Sequence, residues 1–132
     1  MRFVDTSFWY ALQNRRDSEH EQARTIHARG LGQLVTSVAV LGETWTLIRR
    51  RDGHGAAVRF LDLASGLPRL EVVQAGDDVV RDAWTWLRSH DEREYSFVDA
   101  TSFALMRVRR IREALAFDGD FYAAGFVEVR AT

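Results

Sequence analysis

The segment YSFVDATSFALM, from Tyr95 to Met106, places one carboxylate at the head of an otherwise apolar stretch. Phe103 and Met106 follow Asp99 at helical spacing, which predicts a helix with Asp99 in its first turn. Ser96 lies three residues before Asp99, and this S-x-x-D pattern is typical of a helix N-terminus where each side chain accepts a backbone N–H. Asp99 is therefore a capping residue, a functional acid, or both.

Length and composition predict one folded domain over residues 1–132. Hydrophobic residues make up 46% of the chain and four residues are Trp, which supplies a core and excludes disorder. The lack of cysteine excludes disulfides, thiol catalysis and thiolate zinc sites. No apolar run is long enough to span a membrane, and the start of the chain does not look like a signal peptide. We therefore expect a cytoplasmic protein.

Short apolar runs alternate with helical patterns along the chain. The predicted strands are Arg2–Asp5, Leu34–Thr36, Leu70–Val73, Ala114–Phe117 and Gly125–Val129. Helices are predicted after the first strand (with Thr6, Ser7 or Asp5 itself as cap) to about Gly32, over 37–51, before Gly66, over Asp77–His90 and from Ser96 onward. This alternation predicts an α/β fold with a mainly parallel sheet.

Two of these helices carry apolar stripes that we expect to face the core. The predicted stripe of the third helix is Val38, Leu41, Trp45 and Ile48, and that of the helix from Asp77 is Val80, Ala83, Trp84 and Leu87.

Three acids follow short apolar runs, namely Asp5, Asp99 and Asp118. In a parallel sheet such positions converge at the carboxyl edge, and Glu43 could join them from the third helix. Clustered carboxylates repel one another unless a cation is present, and Mg²⁺ (or Mn²⁺) suits oxygen ligands. Such ions activate water and stabilise charge on a phosphodiester. The alternative is that these four acids are ordinary helix caps and turn residues.

Four stretches, FVDTSFW, VLGETW, YSFVDATSFALM and AFDGDFYAAGF, together resemble the acidic motifs of the PIN-domain ribonucleases. More closely, they resemble the bacterial VapC toxins of toxin–antitoxin pairs, over essentially the whole chain. The resemblance implies a three-layer α/β/α PIN-like fold and a metal-dependent endoribonuclease. It implies that the metal-binding and catalytic acids are Asp5, Glu43, Asp99 and Asp118, that Asp120 is an auxiliary fifth acid, and that Thr6 helps to position the first acid.

The last motif leaves one ambiguity. Asp118 and Asp120 are two residues apart around Gly119, and both point the same way if the turn is extended. Either acid could be the fourth ligand, and Asp118 is favoured because it directly ends the predicted strand.

All 18 basic residues are arginine, the side chain that binds phosphate bidentately, although the net charge is −1. Two clusters could follow an RNA backbone, represented by Arg49 and Arg50 and by Arg107 and Arg110. The alternative is that arginines at helix ends complement the helix dipole.

The resemblance also implies a VapB-type antitoxin and a structured RNA target, either tRNA or the sarcin–ricin loop of 23S rRNA, with the motifs closer to the cutters of the ribosomal loop. A catalytically idle module that binds only RNA or a partner is a further alternative. A homodimer is predicted, partly from the family and partly from a surplus of large apolar residues: Phe8, Trp9, Tyr10, Trp45, Trp84 and Trp86.

Overall fold

A computed structural model describes residues 1–131, in which strands and helices alternate as the sequence predicts. The elements are β1 (Arg2–Val4), α1 (Thr6–Gln13), α2 (His20–Ala28), β2 (Leu34–Ser37), α3 (Val38–Asp52), α4 (His54–Ser65), β3 (Leu70–Val73), α5 (Asp77–Arg88), α6 (Phe97–Arg109), β4 (Glu113–Leu115), α7 (Asp120–Ala123) and β5 (Val127–Glu128).

Within residues 1–131 the five strands form one parallel sheet in the order β3-β2-β1-β4-β5. The central strand β1 pairs with β2 on one side and with β4 on the other, and Val4 lies opposite Leu115. The segments that follow β1 and β4 therefore leave the sheet side by side at its carboxyl edge, where open α/β sheets bind ligands. The predicted α/β class with a parallel sheet is confirmed.

Helices cover both faces of the sheet. Every residue of β2 is buried, and successive side chains of a strand point to opposite faces. The core on the two faces is aromatic: Trp9 packs edge-on against Phe60, and Phe103 packs edge-on against Phe121. The three-layer α/β/α arrangement is therefore present. Within residues 1–131, no helix has an apolar stretch that could span a bilayer.

Most of the aromatic residues from which the homodimer was predicted pack in or against the core of the monomer. Phe8, Trp9 and Tyr10 are buried, and Trp45 and Trp86 are partly buried against the core. Phe8, Trp9 and Tyr10 therefore do not support the predicted dimer, because α1 packs inside the monomer instead of lying on its surface. Of the six, only Trp84 is well exposed.

The predicted ends of the last two strands were wrong. β4 ends at Leu115, whose carbonyl accepts a hydrogen bond from the backbone of Asp5, because the partner strand β1 ends there as well. Asp118 therefore lies three residues beyond the strand rather than at its end. The chain then forms the short helix α7, which the sequence did not predict, and Gly125 turns it at φ +101° into the two-residue strand β5.

The buried faces of two helices also differ from the predicted stripes. Ser37 caps α3, so Val38 occupies its first turn and is 51% exposed, while Val40, Thr44 and Ile48 face the core. In α5 only Ala83 is fully buried, and Trp84 is 52% exposed.

Two helix boundaries depart from the prediction. The stretch toward Gly32 is not one continuous helix, because Asn14 leaves the helical conformation after α1 and the chain turns before α2 begins. The helix α5 ends at Arg88 instead of His90.

Candidate metal centre

Asp5 is the residue that follows β1 and is the N-cap of α1. Its Oδ2 accepts a hydrogen bond from the Ser7 backbone at 3.2 Å and one from the Ser7 hydroxyl at 2.7 Å. The side chain is almost fully buried. Burial raises the pKa of Asp5 well above its usual value, the charges of Asp118 and Asp99 raise it further, and the Ser7 hydrogen bonds oppose this. Asp5 is therefore a cap that is also poised for a cation.

Asp99 forms the capping box that the S-x-x-D pattern predicts. Its Oδ2 accepts from the Ser96 backbone at 3.0 Å, and the Ser96 Oγ accepts from the Asp99 backbone at 2.9 Å. Burial raises the pKa of Asp99 to about 6; the Ser96 backbone hydrogen bond lowers it, and the charges of Asp118 and Asp120 raise it. A residue that only capped the helix would not need burial beside two other carboxylates.

Asp118 and Asp120 flank Gly119 in a tight turn, and Gly119 has φ +84°. The Asp118 Oδ1 accepts the Asp120 backbone N–H at 3.1 Å, which closes the turn. The turn is therefore not extended, yet both carboxylates reach Asp99: one carboxylate oxygen from each of the three acids lies within 4.8 Å of the others. Burial raises the pKa of Asp118, and the charges of Asp120 and Glu128 add to the shift.

The clustered oxygens belong to Asp99, Asp118 and Asp120, and Asp5 lies outside that group but near enough for the charges of Asp118 and Asp99 to raise its pKa. Together these acids suit a divalent cation. Asp5, Asp99 and Asp118 all have raised pKa values because burial and mutual repulsion disfavour their charges. A hard divalent ion prefers oxygen ligands and supplies the missing positive charge. The donor set therefore fits Mg²⁺ or Mn²⁺.

Glu43 stands apart from the three clustered acids. It is exposed on α3, and its Oε1 accepts the Thr6 hydroxyl at 2.7 Å. Thr6 in turn accepts a hydrogen bond from Thr44 at 3.1 Å. Thr6 was expected to help position the first acid; in the structure Ser7 donates to Asp5, and the Thr6 hydroxyl donates to Glu43.

Three supporting residues were missed by sequence reasoning. Ser7 binds Asp5, as described above. Arg93 donates from Nε to the Asp120 Oδ1 at 2.7 Å. Glu128 of β5 accepts from the backbone of Gly119 at 3.3 Å and holds the turn from the opposite side. Only Ser7 had a local signal, since Asp5 as N-cap places Ser7 where a cap accepts a backbone N–H.

The four candidate RNA-binding arginines separate into two groups. Arg49 and Arg50 are exposed in the last turn of α3, and Arg50 lines an open groove of about 460 Å³ together with Glu43 and Val98. Arg107 pairs with Asp82 at 2.9 Å.

Arg110 ends α6 in a left-handed conformation, so this cluster lies at the opposite end of the helix from Asp99. The helical rise puts Arg107 and Arg110 about 12 and 16 Å from Asp99 along the axis. Of these four arginines, only Arg50 shares a groove with one of the predicted acids, Glu43.

The chain is similar in sequence and in fold to known proteins. The PIN domain family matches residues 2–127. The 23S rRNA-specific endonuclease VapC20 of Mycobacterium tuberculosis, from strains CDC 1551 and H37Rv, is 57% identical over 131 residues that cover 98% of each chain. A crystal structure of M. tuberculosis VapC20, described as a sarcin–ricin loop cleaving toxin, matches with a TM-score of 0.92 and 53% identity over 98% of this chain and 99% of that one.

The resemblance of the four motifs is therefore confirmed by a match that extends over nearly the whole chain. The fold is shared as well as the sequence. The chain belongs to the PIN-domain family, and within it to the VapC proteins.

Proposed function

We propose that this protein is an endoribonuclease toxin of the VapC type that cuts the sarcin–ricin loop of 23S rRNA with Mg²⁺ or Mn²⁺. The observation that carries the proposal is the 57% identity over 98% of both chains to an endonuclease named for 23S rRNA. The cluster of acids at the carboxyl edge of the sheet, of which Asp5 and Asp99 are buried, supplies the chemistry that such an enzyme needs.

We assign the acids separate roles on the basis of their surroundings. Asp5, Asp99 and Asp118 hold the ion, because desolvation and neighbouring carboxylates raise the pKa values of these three acids; Asp5 and Asp99 are buried, whereas Asp118 is open to solvent. Glu43 is exposed and fixed through one oxygen by Thr6, so its Oε2 is available to orient a water and to accept its proton. When bound by these acids, a divalent ion would supply Lewis-acid polarisation of the phosphodiester and would make the attacking water easier to deprotonate.

Side chains of the protein accept the proton of the attacking water and orient the acids. As the water oxygen bonds to phosphorus, its proton moves to the Glu43 carboxylate and one P–O ester bond breaks. The departing ribose oxygen takes up a proton from solvent and leaves as a hydroxyl. Ser7 and Ser96 keep Asp5 and Asp99 oriented through the hydrogen bonds described above. Positioning of this kind supplies much of the rate of phosphoryl transfer, because little covalent chemistry is required of the protein.

Selectivity for one RNA loop must come from shape, since carboxylates alone would cut any RNA that reached them. We assign to Arg50 the binding of a phosphate of the flanking stem; the groove that it shares with Glu43 supports this assignment. Trp84 of α5 stacks on Phe97, the first residue of α6, with 4.4 Å between ring centroids. Its ring is exposed and can also stack on an unpaired base.

A VapB-type antitoxin, a homodimeric state and a cytoplasmic location complete the proposal. VapC proteins act in toxin–antitoxin pairs, and ribosomes are cytoplasmic. Trp84, Phe97 and Val38 leave apolar surface exposed near the acids, which a second copy or an antitoxin would cover. Light scattering at micromolar concentration tests the dimer, and a monomer would contradict it.

The substrate is tested by offering the purified protein whole ribosomes and total tRNA, with Mg²⁺ and with EDTA, and mapping the 5′ ends. We expect one new end, in the sarcin–ricin loop, only with Mg²⁺. The Asp99→Asn variant is the matched negative control. Specific ends in tRNA with intact rRNA would overturn the choice of substrate, and full activity in EDTA would overturn the metal.

A further inference from the structure

Arg93 lies in the loop between α5 and α6 and binds the turn that carries the last two acids. Its Nε donates to the Asp120 Oδ1 at 2.7 Å, and its Nη2 donates to the backbone carbonyl of Asp118 at 3.0 Å. One guanidinium therefore holds both ends of the turn, in the planar geometry that arginine alone provides.

Gly119 makes this close approach possible. Its φ of +84° is a conformation that glycine adopts without strain. A Cβ at this position would lie only 3.3 Å from the Arg93 Nη2, so the guanidinium rests against the bare backbone of the turn. Arg93 can therefore pack against the turn because Gly119 allows the left-handed conformation and has no side chain.

Charge compensation is uneven among the acids. Asp120 has a resident counter-charge, and its side chain is only 18% exposed, so the pair is partly shielded from solvent. Within residues 1–131, no basic side chain lies within salt-bridge distance of Asp5, Asp99 or Asp118. The uncompensated carboxylates are therefore those three, and Asp120 is already neutralised.

We propose that Arg93 is a positioning residue that occupies Asp120 in place of a second divalent cation, so that the centre holds one ion, on Asp5, Asp99 and Asp118. The inference rests on the proposed function only in taking a divalent ion as the partner of the acids. Two cations sharing the Asp120 carboxylate would repel each other, and for charges of +1 and +2 at contact range this is worth on the order of tenfold in affinity.

The experiment counts ions without RNA. Mn²⁺ is titrated into the RNA-free protein, and the electron paramagnetic resonance signal of free Mn²⁺ gives the number bound per chain. We expect one ion in the wild type and two in Arg93→Gln, with the second bound at least about tenfold more tightly than any second ion in the wild type. Arg93→Lys keeps the charge and should still bind one.

Four further variants isolate the cause. Arg81→Gln removes the same charge from an exposed surface pair with Asp78 and should leave one ion bound. The double variant Arg93→Gln/Asp120→Asn should return to one ion, because the acid that admits the second is gone. Asp120→Asn alone should weaken the first ion less than about threefold, whereas Asp118→Asn should nearly abolish it.

Two tight ions in the wild type, or one unchanged ion in Arg93→Gln, would overturn the inference. Arg93 is 42% exposed in a loop, so its replacement removes no core contact. Were that variant unfolded, loss of the ion in Asp120→Asn would still overturn the inference. A wild type that binds one Mn²⁺ but cuts no RNA would refute the proposed function alone, and one that cuts RNA with two ions would refute this inference alone.

Discussion

The Ser7 hydroxyl accepts a hydrogen bond from the backbone N–H of Phe117 at 3.0 Å, across 110 residues of sequence. The same hydroxyl donates its hydrogen to the Asp5 Oδ2 at 2.7 Å. One side chain thus ties the segments that follow the two central strands to each other and fixes the first acid. Asp5 is thereby linked through one hydroxyl to the residue that precedes Asp118.

Ser7→Ala should therefore reduce both stability and cleavage. The change leaves the Phe117 N–H without its acceptor and Asp5 without its closest donor, a loss of about 1–3 kcal/mol in the free energy of unfolding. Denaturant unfolding and the RNA cleavage rate are the measurements. Ser7→Thr, which keeps the hydroxyl, should recover most of both, and Thr85→Ala on the exposed side of α5 is the control. Unchanged stability in Ser7→Ala would contradict this role.

Asp99→Asn should abolish cleavage and stabilise the metal-free protein. The amide oxygen can still accept the Ser96 N–H, but the ligand charge is lost. Because the pKa of Asp99 rises from 3.8 to about 6 on folding, its charge costs about 3 kcal/mol at pH 7 in the absence of metal. Urea unfolding in EDTA should show a gain of up to that amount, and cleavage with Mg²⁺ should fall by orders of magnitude. A less stable variant would refute the unfavourable charge.

The raised pKa of Asp99 makes the free energy of unfolding depend on pH. A carboxyl with a raised folded pKa binds its proton more tightly in the folded state, so its protonated form favours folding and this benefit is lost as pH rises. In EDTA, the wild type and Asp99→Asn should have equal stability below about pH 4, should diverge between about pH 4 and 6, and should differ by a constant amount above that. Saturating Mg²⁺ should reverse the difference at pH 7. A pH-independent difference would contradict the assigned pKa.

Thr6→Val should lower cleavage about tenfold without unfolding the protein. It removes the donor that fixes the Glu43 Oε1, and a hydrogen bond to a charged group is worth about 1.5–3 kcal/mol. Thr44 keeps its bond to the Val40 carbonyl at 2.7 Å, so no buried hydroxyl is orphaned. Thermal unfolding controls for stability, and Thr6→Ser should retain activity. Wild-type activity in Thr6→Val would show that Glu43 needs no positioning.

Arg50→Gln and Arg107→Gln should separate the two arginine clusters. Arg50 shares a groove with Glu43, so its loss should raise KM and reduce the salt dependence of binding by about one unit of slope. Arg107 pairs with Asp82 at the far end of α6, so its loss should leave both unchanged. Cleavage rates over a range of salt concentrations distinguish them, and equal effects of the two changes would refute the assignment.

The sequence carries a local signal for the position of two of the acids. Asp5 follows a short apolar run that forms β1, and Asp99 sits in an S-x-x-D capping pattern that begins α6. The apolar run before Asp118 did not show that β4 ends three residues earlier. The parallel sheet followed from the alternation of strands and helices.

The supporting contacts could not be predicted in this way. Arg93 meets Asp120 across 27 residues, and Ser7 meets Phe117 across 110, so neither pairing leaves a pattern within one segment. The burial of Trp9 and the exposure of Trp84 depend on which helix face meets the sheet, which composition does not reveal. Helix α7 was missed because a four-residue helix is too short to show a period.

The pairing of β1 with β4 also determines when activity can arise during synthesis of the chain. Asp118 is made 113 residues after Asp5, and the two meet only when β4 joins β1. At a synthesis rate of about 5–20 residues per second, roughly 6 to 20 s pass between the addition of Asp5 and that of Asp118. A nascent or truncated chain that lacks β4 therefore has no complete centre, and the ribosome that is translating it is not exposed to the finished nuclease.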